Sequence, residues 1–234
     1  MKKKQKHSTH NINGQGWFGY YNGKQFNQHL PSESMKYLKT FFKKHNVKTI
    51  LDFACGTGRN TMYLAEKGFN MYGFDQFKWV VNETSQKLIA RGLHAKLKTL
   101  NMKNGLPYND NFFDAVIIIR ALYHAKLPTI NKIAKDIIRV VRPGGYIYIE
   151  SWQKSDGSKT IFTKTEEKGT YKVGKKYYHI FTSNELKGLF PGCTLLKFSF
   201  KNKKFNMLVQ KTITQNHKNT FNKVREKSRL DAQF

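Results

Sequence analysis

The sequence predicts a mostly parallel, seven-stranded α/β sheet with helices on both faces, and three observations carry that expectation. The first is a strand, a glycine turn and a helix in succession. Val47-Lys48-Thr49-Ile50-Leu51 is rich in β-branched residues, Gly56 and Gly58 flank one residue, and Thr61 to Gly68 reads as a helix closed by glycine. The second is alternation, because strands near 48–53, 70–74 and 95–100 are separated by helical segments, as parallel crossovers require. The third is Ala115-Val116-Ile117-Ile118-Ile119, apolar throughout, as suits a central strand covered on both faces.

The remaining elements follow in chain order. Pro31 and Ser32 open a helix from about Glu33 to Lys44, with Ser32 as the expected N-cap. A helix near 78–91 is stopped by Gly92, and another from Thr129 to Val141 by Pro143-Gly144-Gly145. Tyr146 to Glu150 is the fifth strand, and 152–179 reads as irregular or hairpin structure. Thr182-Ser183-Asn184-Glu185 has the pattern of a capping box, with Phe181 and Leu186 placed for its hydrophobic staple. Its helix is expected to reach about Phe190 and stop at Pro191-Gly192. Strands near 194–200 and 205–212 flank Lys201-Asn202-Lys203-Lys204, so they are expected to pair antiparallel.

This organisation divides the chain into a basic N-terminal segment with an aromatic lid (1–30), a core domain (31–213) with an insert at about 152–179, and a basic tail (214–234). In the tail, Phe221, Val224 and Leu230 are too sparse for a stable isolated helix. The 234 residues suffice for one ordinary domain. No apolar run is long enough to span a membrane. The basic start, Met1 to His10, lacks the apolar stretch of a signal peptide. Two cysteines, Cys55 and Cys193, exclude a disulfide framework or zinc cage, so reduced thiols and a cytoplasmic setting are expected.

The glycine turn points unpaired N–H groups of a new helix at a ligand, which is the design of a nucleotide site. A dinucleotide fingerprint wants a third glycine at position 61, where Thr61 stands. Asp75, 19 positions after Gly56, lies where a ribose-diol acceptor is expected. Asp52 before the turn and the missing glycine favour a cofactor with a cationic amino-acid end and no pyrophosphate.

Asp52-x-x-Cys55-Gly56-x-Gly58-Arg59-Asn60, Tyr63-Leu64-Ala65 and Gly73-x-Asp75 resemble the class I S-adenosylmethionine-dependent methyltransferases, with the small-molecule and tellurite-resistance-like branches nearest. The resemblance continues through Leu106-Pro107-Tyr108, Phe113-Asp114, Leu122-Tyr123-His124, Ile138 to Tyr146, and Phe181-Thr182-x-x-Glu185-Leu186, covering roughly 35–212. It implies a Rossmann-like fold and S-adenosyl-L-methionine as cofactor, with no metal.

The resemblance also assigns roles. Ala54, Gly56 and Gly58 bring the backbone to the cofactor's amino-acid end. Asp52 either faces the sulfonium or amino group or fixes the loop, and Asp75 accepts from both ribose hydroxyls. Asn101 stands where the family usually has an acid facing the adenine amino group. Met102 and Ile119 wall the cofactor, and Gln76 closes over the adenine or is structural. Arg120, Tyr123 and His124 look toward the methyl group. Arg120 pairs with a substrate anion or with Glu150, and His124 takes a substrate proton or is scaffold.

Two segments are candidates for choosing the acceptor. Trp17, Tyr20 and Tyr21 form an aromatic lid or an apolar anchor, and Trp152 to Tyr178 offers Tyr171, Tyr177 and Tyr178 as a second wall. The formal net charge of +27 attracts polyanions, unless it reflects lysine-rich composition alone. Three functions are therefore expected in order: methyl transfer to a small-molecule acceptor, methyl transfer to RNA, and a non-catalytic fold whose basic surface binds nucleic acid. The sequence leaves the oligomeric state open.

Overall fold

The computed structural model describes residues 30–152 and 162–213. In chain order the elements are α1 (Ser34–Lys44), β1 (Thr49–Phe53), α2 (Arg59–Glu66), β2 (Asn70–Asp75), α3 (Lys78–Ile89), β3 (Ala95–Thr99) and β4 (Phe113–Ile119). There follow α4 (Leu127–Val140), β5 (Val141–Trp152), the short strands β6 (Thr163–Lys164), β7 (Thr170–Val173) and β8 (Lys176–His179), then α5 (Ser183–Gly188), β9 (Cys193–Lys201) and β10 (Lys204–Lys211). A 3-10 turn, Met102–Asn104, precedes β4.

Seven strands form the main sheet in the order β3-β2-β1-β4-β5-β10-β9. The first five are parallel, and β10 enters antiparallel between β5 and the edge strand β9. The order reverses between β1 and β4, and the cleft outside that reversal is where open α/β sheets bind ligands.

Alternation along the central strands splits the core in two. Leu51, Phe53, Val116, Ile118, Ile147 and Ile149 face α4 and α5, where Ile130, Ile133, Ile137 and Leu186 are buried. Ile50, Ala115, Ile117, Tyr146 and Tyr148 face α1 and α2, whose Met35, Leu38, Phe42 and Leu64 are inaccessible to solvent. Met35, Leu38 and Phe42 recur at helical spacing, so one stripe of α1 covers that face.

The antiparallel hairpin, the capping box and Gly92 lie where the sequence placed them. Thr182 Oγ1 accepts from Glu185 N–H at 3.2 Å, and Glu185 Oε2 accepts from Thr182 N–H at 2.7 Å. The α5 helix is shorter than expected, ending at Gly188 rather than near Phe190. Asn202 and Lys203 turn the last hairpin with φ of 52° and 56°, the mirror-image turn that matches strand twist.

Three local expectations need correction. Ser32 does not cap α1: its hydroxyl donates to Glu150 Oε2 at 2.7 Å, drawn across the chain by a buried carboxylate. The helix expected from Thr129 starts at Leu127, with Pro128 in its first turn, where a missing N–H costs nothing. That helix ends at Val140, because the residue before Pro143 prefers extended backbone, and Pro143-Gly144-Gly145 run inside β5 instead of separating helix from strand. A Cβ on Gly145 would lie 2.8 Å from two backbone oxygens, so only glycine lets β5 pass there.

The insert is more regular than the sequence suggests. Strands β6, β7 and β8 form a separate antiparallel sheet in the order β6-β7-β8. Trp17, Tyr20 and Tyr21 of the expected lid, and the tail 214–234, lie outside the described residues. No helix among the described residues is long and apolar enough to cross a membrane.

Candidate functional site

The turn after β1 passes three times through left-handed backbone, at Ala54 (φ 53°), Gly56 (55°) and Gly58 (75°). Glycine meets that demand without strain. At Gly58 a second requirement applies: an added Cβ would sit 2.2 Å from Thr84 Cγ2 of α3. Thr84 Oγ1 in turn donates to the Gly56 carbonyl at 3.0 Å. Gly58 therefore seats the turn on α3, and it is not among the residues lining the cavity beside it.

Asp52 lies behind the same turn and is 1 % exposed. Thr61 Oγ1 donates to its Oδ2 at 2.7 Å, so the residue standing in place of the third glycine holds the carboxylate. Burial disfavours the anion and lifts the Asp52 pKa to about 6, against the opposing pull of the Thr61 bond and the Arg59 charge. Asp52 does not line the cavity. Of the two roles expected of it, the placement matches the loop-fixing one.

Asp75 closes β2, 4 % exposed and facing the turn. Its Oδ2 accepts from Gly56 N–H at 3.2 Å and its Oδ1 from Phe77 N–H at 3.1 Å. These bonds orient the carboxylate in the wall of a cavity of about 310 Å³. A carboxylate has about four acceptor positions, and a vicinal diol needs two.

The cavity brings together Ala54, Gly56, Asp75, Gln76, Asn101, Met102, Ile119, Arg120 and His124 from the ends of four parallel strands, as the sequence expected. Leu100 and Met102, after β3, give it an apolar stretch beyond Asp75, and Ile119 lines it at the end of β4. Asn101 lines it too, but its Oδ1 accepts from Lys103 N–H at 3.0 Å and caps the 3-10 turn. The side-chain oxygen thus already serves the backbone, which an adenine contact would have to share.

Arg120 follows β4 with φ 57°. Its Nε lies 3.2 Å from Glu150 Oε1, the ion pair named as one of its two expected roles, and its guanidinium is 5.6 Å from the Trp152 ring centroid. The Nε–Oε1 contact lacks hydrogen-bond geometry, so it acts by charge. Glu150 is 3 % exposed and its other oxygen receives Ser32. Arg120, Glu150 and Ser32 therefore tie β4, β5 and the start of α1 together.

His124 stands at the cavity wall with Nδ1 shut off from solvent. Burial, helped by the Lys176 charge, lowers its pKa to about 3 against a bond to the Arg120 backbone, so the imidazole is neutral and a weak base. Tyr123 is not in the lining; it stacks at 6.3 Å on Tyr178, and His124 meets the same ring edge-on at 4.8 Å.

Sequence reasoning named Tyr177 in the 152–178 wall, and it lines the cavity, but it did not pick out Lys175 and Lys176, which the β7–β8 turn also carries there. Burial lowers the Lys176 pKa to about 8. His179, which ends β8, is 1 % exposed. Its Nδ1 is 2.8 Å from Thr170 Oγ1, and its backbone N–H donates to the Tyr123 carbonyl at 2.8 Å. A lone histidine in a polar stretch gives no such signal. Arg59 and Asn60 line the cavity as well; they were legible only as part of the turn motif.

Residues 50–145 match the family model described as "Methyltransferase domain". A demethylmenaquinone methyltransferase of Lactobacillus johnsonii is 34 % identical over 121 residues, 47 % of this chain and 48 % of that protein. A sterol 24-C-methyltransferase of Schizosaccharomyces pombe is 29 % identical over 122 residues, 50 % of this chain and 31 % of that protein. The chain thus spans about half or less of the length of these curated relatives. A solved structure of an S-adenosylmethionine-dependent methyltransferase from Methanosarcina mazei superposes with a TM-score of 0.60 at 23 % identity, covering 73 % of this chain and 97 % of that one. Sheet order, turn geometry and these likenesses agree on one conclusion: the chain has the Rossmann-like fold of the class I methyltransferases, and its family match lies within residues 50–145.

Proposed function

We propose that this protein transfers a methyl group from S-adenosyl-L-methionine to a small-molecule acceptor. The observation that carries the reading is one cavity in which the left-handed Gly56 turn, the Asp75 carboxylate and an apolar stretch at Leu100 and Met102 succeed one another. That sequence of surfaces fits the cofactor's amino-acid end, its ribose diol and its purine in turn. The names of the relatives support a small acceptor, quinone-like or sterol-like in those proteins.

When bound, the cofactor supplies an activated methyl on a sulfonium leaving group, so the protein's work is alignment and exclusion of water. Asp75 holds the ribose, while Gly56 and Ala54 bring backbone to the amino-acid end. Asp52 braces the turn from behind through Thr61. Ile119 and His124 bound the side where the methyl is transferred. His124, held neutral, serves as a shaped polar wall and not as a proton acceptor at neutral pH. The domain limits 31–213, the tellurite-resistance-like branch and a cytoplasmic setting belong to the same proposal, on the motif pattern and cysteine usage.

Calorimetry tests it directly. Wild type is expected to bind S-adenosylhomocysteine, and Asp75→Ala to bind it at least tenfold more weakly, since a hydrogen bond to a charged group contributes about 1.5–3 kcal/mol. Asp75→Asn separates the two duties of the side chain. It keeps an acceptor for one of the Gly56 and Phe77 N–H groups, turns an NH2 toward the other and loses the charge, so it is expected to lower the melting temperature slightly and still bind weakly. Unchanged affinity in both variants would remove Asp75 from the cofactor site.

A further inference from the structure

A second cavity, of about 240 Å³, lies on the far side of the Arg120–Glu150 pair. Strand register explains its composition. Across β5, β10 and β9, Tyr148 is paired with Leu208 and Leu208 with Lys197. Two residues on, Glu150 is paired with Asn206 and Asn206 with Ser199. Two further, Trp152 is paired with Lys204 and Lys204 with Lys201. Residues two apart on a strand share a face, so these rows stack on one side of the sheet. The opposite wall is the start of α1, with Glu33 and Tyr37.

The charge of this cavity is lopsided. Lys197, Lys201 and Lys204 all line it, and among the described residues none of them forms an ion pair. Two are held by aromatic rings: Lys197 Nζ is 4.0 Å from the Tyr37 centroid and Lys204 Nζ is 5.2 Å from that of Trp152. Two acids line it as well: Glu150, buried and already engaged by Arg120 and Ser32, and Glu33, exposed at the start of α1, which leaves the three lysines in excess. Three ammonium groups gathered over one concave patch create a positive potential that favours an anion. Tyr37 lines the cavity, and Trp152 is paired with Lys204 at the end of β5.

Position gives the cavity its role. Arg120 lines the first cavity, Glu150 lines the second, and the two side chains touch. The two cavities therefore share one wall, at the end of β4 where a methyl donor would present its reactive carbon. We propose that the second cavity is an anion site beside the cofactor cavity, and that its ligand is a planar aromatic molecule bearing a carboxylate or phosphate. Its anion would meet Lys197, Lys201 and Lys204, and its opposite edge would meet the Arg120–Glu150 wall. The anion site does not rest on the methyltransferase reading.

The test uses 2-naphthoate, 2-naphthyl phosphate and neutral 2-naphthol as probes on the full chain, followed through the indole N–H resonance of Trp152, assigned with Trp152→Phe. Both anions are expected to shift that resonance saturably, at least tenfold more tightly than naphthol, and their ranking tells carboxylate from phosphate. Lys201→Glu/Lys204→Glu, at two solvent-facing positions of the hairpin, is expected to weaken both anions at least tenfold. Its affinity for S-adenosylhomocysteine and its melting temperature should stay at the wild-type values. Equal binding of naphthol and the anions, equal binding by the charge-reversed variant, or no shift at Trp152 would overturn the anion site. Much tighter, length-dependent capture of an oligoribonucleotide at the same resonance would overturn the small-molecule assignment. Loss of cofactor binding with the anion preference intact would sink the methyltransferase reading and leave the anion site standing.

Discussion

Asp52 shows how one residue can be recognised for its position and still be assigned by its surroundings. Its carboxyl is buried, and its pKa is lifted to about 6 from 3.8 because burial penalises the anion. A folded pKa above the unfolded one stabilises the protein fully below about pH 4, and that contribution is lost as pH rises through about 6. Two pH units correspond to about 3 kcal/mol. Asp52→Asn keeps an acceptor for Thr61 and has no proton to lose. Denaturation at a series of pH values is expected to show the variant gaining on wild type between pH 4 and 6, with a constant advantage above that. His124 acts with the opposite sign, because its pKa of about 3 makes the folded state lose stability as pH falls below the unfolded value of 6.5. It is common to both proteins, so the difference curve isolates Asp52. A flat difference would mean that Asp52 is solvated in solution. Asn101 admits a sharper test of the adenine contact. Asn101→Asp keeps the Lys103 N–H bond and adds a charged acceptor, so affinity for S-adenosylhomocysteine should hold or rise. Asn101→Leu loses both and should bind more weakly. Equal affinity in all three would make Asn101 a capping residue alone.

At the scale of elements, the glycine turn depends on a helix that follows it by twenty residues. Gly58→Ala puts a Cβ 2.2 Å from Thr84 Cγ2 in a backbone with φ 75°. Left-handed backbone costs about 1–2 kcal/mol for a residue with a Cβ, and the overpacking about 1–3 kcal/mol more. Thr84→Ser removes the obstructing methyl and keeps the hydroxyl that donates to Gly56. The double variant is therefore expected to recover the packing part of the loss and not the backbone part, as read from denaturant midpoints. No recovery would mean that the turn and α3 are not in contact as described. The last hairpin offers a gain in the other direction. Lys203 holds φ 56° without being glycine, so Lys203→Gly should raise stability by about 1 kcal/mol.

For the whole molecule, the open question is the charge of +27. Lysines at Lys197, Lys201 and Lys204 converge, but others are spread over β3, α1 and the tail, which suits general attraction to polyanions better than a reading surface for bases. RNA binding is expected to be weak at physiological salt, with log affinity falling roughly linearly in log salt. Removing 1–10 and 214–234 should reduce the slope by the phosphate contacts those lysines make, without changing activity on a small acceptor. Tight binding with sequence or structure preference would instead favour RNA as the substrate.

Much of this protein was legible in the chain itself. The strand–glycine–helix unit, the carboxylate at Asp75, the apolar run 115–119 and the capping box at Thr182 are local patterns, and backbone geometry over a few residues enforces them. They were enough to predict the seven-stranded fold, the order of its elements and about half of the cavity lining. What they could not supply depends on contacts between residues far apart in sequence. Ser32 reads as a helix cap until Glu150, 118 positions away, takes its hydroxyl. Asp52 reads as a cofactor contact or as a brace for the loop, and its burial and its bond to Thr61 are set by the fold. The anion site exists only because register aligns β5, β10 and β9, setting lysines of the last hairpin beside a wall built by Arg120 and Glu150. Local sequence determines which elements form; burial and strand register, which sum over the whole sheet, decide what each side chain faces.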